Sequence, residues 1–398
     1  MKKFSAFFRF QLLIFLFCLS VSAQDFRTIS DGVEYAEMTR GTKEEPVHAY
    51  LLRLDPLKVR LDVVHAMDAA IGVEKTSSIA ARHGAIAAIN SGFFRLDESS
   101  FAGDAAGVLM IDGQLLSESL NNRIAVGVIN GKDKTEVEFG HLKSYAVLGF
   151  GADGEFVLSG INRERKHDEI ILYTPEFNRT TLTVSGGTEI ILSECVADGL
   201  SKKCGKAEVF KGKGSSAIPA EGYVISIGKD ALEKSKNILY FAEKQLSNSK
   251  KSETAFRINF RIEPLEPAKQ NFFSKAEDIT NGVSRLVKNG KIEITWQEEK
   301  AVRSFAENRH PRTAIAKLKD GKLLLTAVDG RQPGFSVGMT LLELAEFLLE
   351  IGAEDAINLD GGGSTTMYLE GKVVNRPSDK EGERRVGDAI LVFPRRKS

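Results

Sequence analysis

The side chains best suited to chemistry in this 398-residue sequence lie near its C-terminal end. They are Asp329, Asp360, Arg312, Arg331 and Arg376, with Gly361-Gly362-Gly363 directly after Asp360. Carboxylates can stabilise a developing positive charge or take a proton from water. Arginines grip phosphate or carboxylate through two parallel hydrogen bonds. Three successive glycines are entropically costly and suit a place where backbone must approach a ligand; their N–H groups can hold an anion. Each piece also has a plainer use. Asp329-Gly330 has the composition of a simple turn, and an Arg opposite an Asp across a hairpin is often a surface ion pair. Asn358, at a strand end, serves equally as a satisfied structural amide or a ligand contact. The glycines do not form a nucleotide-type phosphate loop, because no Gly-Lys-Ser/Thr follows. Ser364 lacks the G-x-S-x-G frame of a hydrolase elbow.

The elements around these residues predict that they meet. Asp320-Gly321, read as a two-residue hairpin turn, pairs Lys319 with Lys322 and puts Arg312 opposite Asp329. Arg312, Asp329 and Arg331 then share the end away from the turn. Thr340-Leu341-Leu342-Glu343 is a capping box, apolar residues at 341, 344, 345 and 348 keep helical spacing, and Gly352 ends the helix. The strand Ala356-Leu359 follows, and the strand–helix–strand order favours a parallel crossover that brings Asp360 to the edge of Asp329. Glu370-Gly371 turns Thr366-Leu369 back onto Lys372-Asn375, so that Thr365 faces Arg376 and Asn375 and Arg376 return to the same edge. Ser364 and Thr365 join the candidate contacts there. Strand ends of open sheets are where ligands commonly bind.

The rest of the chain is rich in strands. Asp112-Gly113 and Asn289-Gly290 are further hairpin turns between apolar runs, and a short helix around Ser77-Arg82 ends at Gly84. The fold class expected is α+β: a mixed, largely antiparallel β-sheet core with flanking helices and a C-terminal hairpin–helix–strand unit. Ala87-Ala88-Ile89-Asn90-Ser91-Gly92-Phe93-Phe94 reads as an apolar strand ending in a turn with core phenylalanines. The alternative is a sugar-facing Asn90 with an aromatic wall.

Bulk properties narrow the classes. Residues 1–23 have a positive start (Lys2, Lys3, Arg9), an apolar run and Val21-Ser22-Ala23 at the cleavage positions, the pattern of a secretory signal cut after Ala23. The chain is therefore expected to be secreted or periplasmic, without stable membrane insertion. The whole sequence balances 54 basic against 54 acidic residues, and loss of the signal leaves about −3. With no basic stripe, nucleic acid is not an expected partner. Cys195 and Cys204 remain after cleavage, and a short disulfide loop is slightly favoured over free thiols. The six histidines show no metal-ligand spacing.

Four stretches in order carry a resemblance: His310-Pro311-Arg312-Thr313-Ala314-Ile315; Val328-Asp329-Gly330-Arg331-Gln332; Asn358 through Met367; and Asn375-Arg376-Pro377-Ser378-Asp379. Together with Asn90-Ser91-Gly92-Phe93-Phe94 they resemble the phosphodiester glycosidase family, most densely over 310–393. The likeness extends over the catalytic region 24–398, residues 24–150 supplying the Asn-Ser-Gly-Phe-Phe element. Ser91 stands where that family usually has glycine, and Asn281-Gly282-Val283 is less glycine-rich than its counterpart. The resemblance implies a hydrolase that releases the sugar from a sugar-1-phosphodiester of the GlcNAc-1-phosphodiester kind. It implies phosphate binding by Arg312, Arg331, Arg376 and the Gly361, Gly362 and Gly363 amides. Asp329 or Asp360 would be nucleophile or base, and Asn90 and Asn358 would hold sugar hydroxyls.

No cofactor is required by this reading. A metal-assisted phosphodiesterase, with calcium or magnesium held by Asp329 and Asp360, remains compatible with the carboxylates. So does a non-catalytic protein that binds cell-envelope or exopolysaccharide glycans.

Overall fold

The computed structural model describes residues 25–247 and 256–395. The expected signal peptide lies outside the described residues.

Strands dominate. An eight-stranded sheet runs in the order Arg27–Ser30, Val33–Gly41, Pro46–Leu54, Leu323–Val328, Arg312–Leu318, Ala353–Asn358, Arg285–Lys288, Lys291–Ile292. A five-stranded sheet runs Lys372–Val373, Met367–Leu369, Ala87–Asn90, Asp388–Pro394, Val59–His65. The middle of the chain forms most of a twelve-stranded sheet whose long strands include Thr135–Phe150, Thr188–Asp198 and Ser201–Lys211. Among the described residues the named pairs are antiparallel, apart from Gly160–Ile161 beside Ile170–Tyr173. The α+β expectation with a largely antiparallel core is met.

The layers follow from which faces are apolar. Leu52, Leu54, Ile315, Leu325 and Ile357 of the eight-stranded sheet share one core with Leu61, Val63, Ile89, Ile390 and Val392 of the five-stranded sheet. The outer face of the first sheet is covered by the helix Leu341–Ile351, which buries Leu341, Leu344, Ala345, Phe347 and Leu348 against Ala314, Ala316, Leu324 and Ala356. The outer face of the second is covered by Thr76–His83 through Ile79 and Ala80. The order is helix, sheet, sheet, helix, and each apolar stripe has a partner. Deleting Leu344, fully buried, to alanine would cost about 2–5 kcal/mol.

Local signals mostly act as expected. Thr340 and Glu343 cap each other's backbone, and Gly352 takes the left-handed conformation at φ 102°. Asp112-Gly113, Asn289-Gly290 and Glu370-Gly371 all have positive φ at both turn residues. Leu369 pairs with Lys372 as predicted. Cys195 and Cys204 are joined across the hairpin of Thr188–Asp198 and Ser201–Lys211.

The hairpin at Asp320-Gly321 differs by one residue. Lys317 pairs with Leu323 and Arg312 with Val328, not with Asp329. The Gly321 N–H bonds the Leu318 carbonyl and Gly321 sits at φ 83°. The loop thus holds three residues, a turn followed by a left-handed glycine, and the extra residue shifts the register. The shared edge survives the shift. Leu323–Val328 and Ala353–Asn358 flank Arg312–Leu318, each antiparallel to it, so they run parallel to each other and end on the same side.

Candidate active site

Two sheets meet at that edge, and their strand ends are tied by backbone bonds. The Asp360 N–H bonds the Ser91 carbonyl (2.8 Å), the Ser91 N–H the Asp388 carbonyl (3.2 Å), and the Asn90 N–H the Thr366 carbonyl (3.2 Å). Asp360 leaves its strand here, half-buried, into a cavity of about 290 Å³. Phe93, Phe305, Arg312, Arg331 and Arg384 form its walls with the three glycines. Burial pushes the Asp360 carboxyl up to about 7, and the nearby Asp388 adds to this. Ser364, Arg384 and the Gly361 N–H oppose the rise. Ser364 Oγ lies close to the carboxylate without the geometry of a full hydrogen bond.

The cations are set differently from one another. Arg312 is 1% exposed; its Nε donates to the Met339 carbonyl (2.7 Å) and its Nη2 to those of Phe305 (2.7 Å) and Asn308 (3.0 Å). Its guanidinium lies 5.1 Å from the centre of the Phe305 ring. Among the described residues no carboxylate pairs with it, and burial pulls its pKa down, with Arg331 adding repulsion. Arg331 is exposed, holds φ at 60°, and also lacks a carboxylate partner among the described residues. Its Nη2 lies 3.2 Å from His310 Nδ1, while His310 Nε2 faces the Ser304 carbonyl at 3.2 Å. That pattern fits a neutral imidazole protonated at Nε2. Burial and the two arginines lower the His310 pKa, which agrees. Arg384 is clamped by Asp379 at 2.7 and 3.0 Å. Uncompensated cations around one carboxylate make a site for an anionic ligand.

The glycines are required by space. A side chain on Gly361 would meet the Pro311 carbonyl at 2.7 Å, and one on Gly362 would reach the Arg331 guanidinium at 3.0 Å. The N–H groups of Gly361 and Gly362 already bond Asp360 Oδ1 (3.0 Å) and the Pro311 carbonyl (2.9 Å). Their part is therefore to shape the loop, and Gly363 lines the cavity beside them.

Several expected contacts turn out to hold the site from behind. Asn90, fully buried, donates from Nδ2 to the Asp360 carbonyl (2.6 Å) and accepts at Oδ1 from Thr313 Oγ1 (2.9 Å) and the Thr366 N–H (3.0 Å). With both ends of the amide committed, it positions Asp360 and does not face a sugar. Asn358 is equally buried, and its Nδ2 bonds the Val283 and Leu359 carbonyls. Ser364 and Thr365 are buried too, Thr365 against Thr313 (3.3 Å). Asp329 does not line the cavity of Asp360. Its carboxylate accepts from Asn375 Nδ2 (2.9 Å) and the Arg376 N–H (3.1 and 2.9 Å) and faces the Tyr50 hydroxyl. Burial raises its pKa against those bonds. Arg376 lies on a separate cavity and stacks its guanidinium 4.8 Å from the Phe335 ring centre.

Sequence reasoning missed Arg384, Arg123 and Asn281. Arg384 follows a turn with no periodic pattern, and only tertiary contact brings it to Gly363. Arg123 lies 5.6 Å from the Phe93 ring centre and acts on Asp360 through its charge. Asn281 fixes Phe93 by accepting from its N–H (3.1 Å) and donating to its carbonyl (3.3 Å). The two phenylalanines divide: Phe93 lines the cavity and Phe94 packs into the core beside Ala66 and Ala389.

Asn90→Ala is expected to cost roughly 2–4 kcal/mol, because it strips partners from buried groups. It should also lower kcat about 100-fold by letting the Asp360 loop drift. Urea unfolding beside steady-state kinetics checks both.

One half-buried carboxylate among arginines at paired sheet ends makes a site fitted to an anionic ligand. Residues 206–393 match the phosphodiester glycosidase family model. Over that stretch the chain is similar to the phosphodiester glycosidase family. It is 38% identical over 110 residues to the Bos taurus N-acetylglucosamine-1-phosphodiester alpha-N-acetylglucosaminidase, a match covering 25% of this chain and 20% of that one. It is 40% identical over 84 residues to a prophage-derived protein of Bacillus subtilis, covering 21% of this chain and 13% of that one. The matches span a fifth or less of these two relatives' length. A hypothetical protein from Synechocystis has the same fold, with a TM-score of 0.71 at 20% identity over 94% of this chain and 64% of that one. No described helix is long and apolar enough to cross a membrane.

Proposed function

We propose that this protein hydrolyses the C1–O bond of a sugar-1-phosphodiester, releasing free sugar and a phosphomonoester. The observation that carries the reading is Asp360 in one cavity with Arg312 and Arg331, two cations that lack carboxylate partners among the described residues. The arginines and the Gly363 N–H hold the phosphate, with Arg384 beside them, and stabilise the charge that grows on it as the bond breaks. Asp360 meets the oxocarbenium-like centre or accepts the proton of the attacking water. Phosphate is a good leaving group and needs no proton, so one carboxylate in the cavity suffices for this chemistry. No cofactor is needed for the step. Phe93 and Phe305, whose rings meet edge to face at 5.8 Å, offer the sugar an apolar wall. Residues 24–150 belong to the same catalytic unit, a reading supported by the bond from Asn90 to Asp360. The N-terminal pattern supports export of the enzyme.

The test is product analysis on the purified protein with a sugar-1-phosphate methyl diester, with and without chelator, followed by phosphorus and proton NMR. Free sugar plus methyl phosphate, insensitive to chelator, is the expected result. Sugar-1-phosphate plus methanol, lost with chelator, would replace this reading with metal-assisted P–O cleavage. Saturable binding without turnover would leave a glycan-binding protein.

A further inference from the structure

Hydrolysis in the Asp360 cavity leaves a second, larger one unused. It encloses about 580 Å³ and is walled by Gln332, Asn375, Arg376, Asp379 and Lys380, among others. The two cavities share a partition: Asp379 lines the larger and Arg384 the smaller, and the two side chains are bonded to each other. The partition packs against Gly363, where a side chain would fall 2.2 Å from Asp379 Oδ1 and Arg384 Nη2.

The wall carries two carboxylates and two cations, and the carboxylates are already bonded. Asp379 is neutralised by Arg384. Glu383 accepts from the Ser77 N–H (2.7 Å) and Ser77 Oγ (2.5 Å). Arg376 and Lys380 are both exposed, and neither has an ion-pair partner among the described residues. The wall is also stiff. Asp329 accepts from the Arg376 N–H, Gln332 donates to the Arg376 carbonyl at 2.8 Å, and Phe335 beneath the guanidinium stacks on His48 at 4.3 Å. Two exposed cations, with Arg376 held in place, attract an anion at reduced cost in ordering. It also gives Asp329 a task, the anchoring of Asn375 and Arg376.

A phosphodiester carries a substituent on each side of its phosphorus. With the sugar beside Asp360 and the phosphate at the arginines, the other substituent extends toward Arg384 and Asp379. We propose that the larger cavity is the subsite for this second substituent, which departs still esterified to the phosphate, and that it selects a substituent bearing a further negative charge, a phosphate or a carboxylate. The assignment rests on the hydrolysis reading of the smaller cavity.

Two substrates test it: the methyl diester of a sugar-1-phosphate, and the diester of the same sugar-1-phosphate with glycerol 3-phosphate. The full protein should favour the second by about 10-fold in kcat/KM, through KM, and the advantage should shrink as salt rises. Lys380→Glu should abolish the preference while leaving the methyl diester rate unchanged; Lys380→Ala should fall between. Equal kcat/KM for the two substrates, or a preference untouched by Lys380→Glu, overturns the subsite. Turnover of the methyl diester reports on the hydrolysis reading separately. Should that fail, calorimetric binding of the same two diesters still decides: tighter binding of the phosphorylated one, lost in Lys380→Glu, supports the subsite, and equal binding ends it.

Discussion

Replacement of Asp360 by asparagine is expected to give a folded protein, more stable than the parent at pH 8, whose turnover falls by at least ~10³-fold. The loss follows because, among the described residues, no second carboxylate lines the cavity. The gain in stability follows from the same burial. The fold holds the carboxyl at about 7 against an ordinary 3.8, so it favours the protonated form. A group raised in this way contributes stability below its unfolded pKa and loses it as pH rises through the folded one. Three units would set an upper bound of roughly 4 kcal/mol at pH 8, and about 1–3 is expected after local relaxation. Thermal unfolding at pH 8 and at pH 4 checks the sign: the variant should gain a few degrees at the first and little at the second. Activity of the parent should rise with pH to a plateau above about 7 if the carboxylate is the working form. A profile that instead falls through 7 would make Asp360 a proton donor and undo its assigned role.

The second large effect is expected at Arg331. Its guanidinium is exposed, has no carboxylate partner among the described residues, and sits on a backbone at φ 60° that an L side chain adopts with strain. Arg331→Gly removes the charge and relieves the strain, so stability should move by less than about 1 kcal/mol. The loss of one preorganised cation at the leaving phosphate should lower kcat/KM about 10²–10³-fold. Arg331→Lys should recover only part, because an ammonium lacks the fork that grips two oxygens. Urea midpoints measured with the kinetics separate the two effects. A substantial fall in stability together with unchanged kinetics would place Arg331 in the scaffold.

What could be read in advance was local. The capping box at Thr340, the turns at Asp112, Asn289 and Glu370, and the register of Leu369 with Lys372 depend on a few neighbouring residues, and those residues specify them. The hairpin after Lys319 went astray by one position because two- and three-residue loops share the same Asp-Gly signature. That slip still left Arg312, Asp329 and Asp360 at one edge, since the direction of a strand is harder to mistake than its register. The finer roles were not legible. Asn90, Asn358 and Asp329 carry the residue types of ligand contacts, yet Asn90 bonds groups more than 200 positions away, Asp329 bonds Asn375 and Arg376, and the Asn358 Nδ2 bonds the Val283 and Leu359 carbonyls. Arg384, Arg123 and Asn281 reach the site by tertiary packing alone, and no spacing pattern announces them. Glycines were foreseen as a close approach, though that approach is mainly to Pro311 and to side chains of the protein itself.

The amide of Asn90 that holds the Asp360 carbonyl joins chain segments 270 positions apart. Turnover consequently reports on completion of the whole assembly, as a lock opens only when its last pin is seated. A fragment limited to 206–393 would contain every arginine that lines the cavity but neither Asn90 nor Ser91, which hold the Asp360 backbone from the other sheet. It should therefore give no fractional activity by itself, and mixing it with the complementary N-terminal piece should restore function only where the two sheets rejoin. Because such distant strands must find each other before they are rewarded, recovery of activity on refolding should lag behind recovery of secondary structure. Variation that preserves the site must then be concerted across two remote stretches of sequence, even though only one of them carries Asp360.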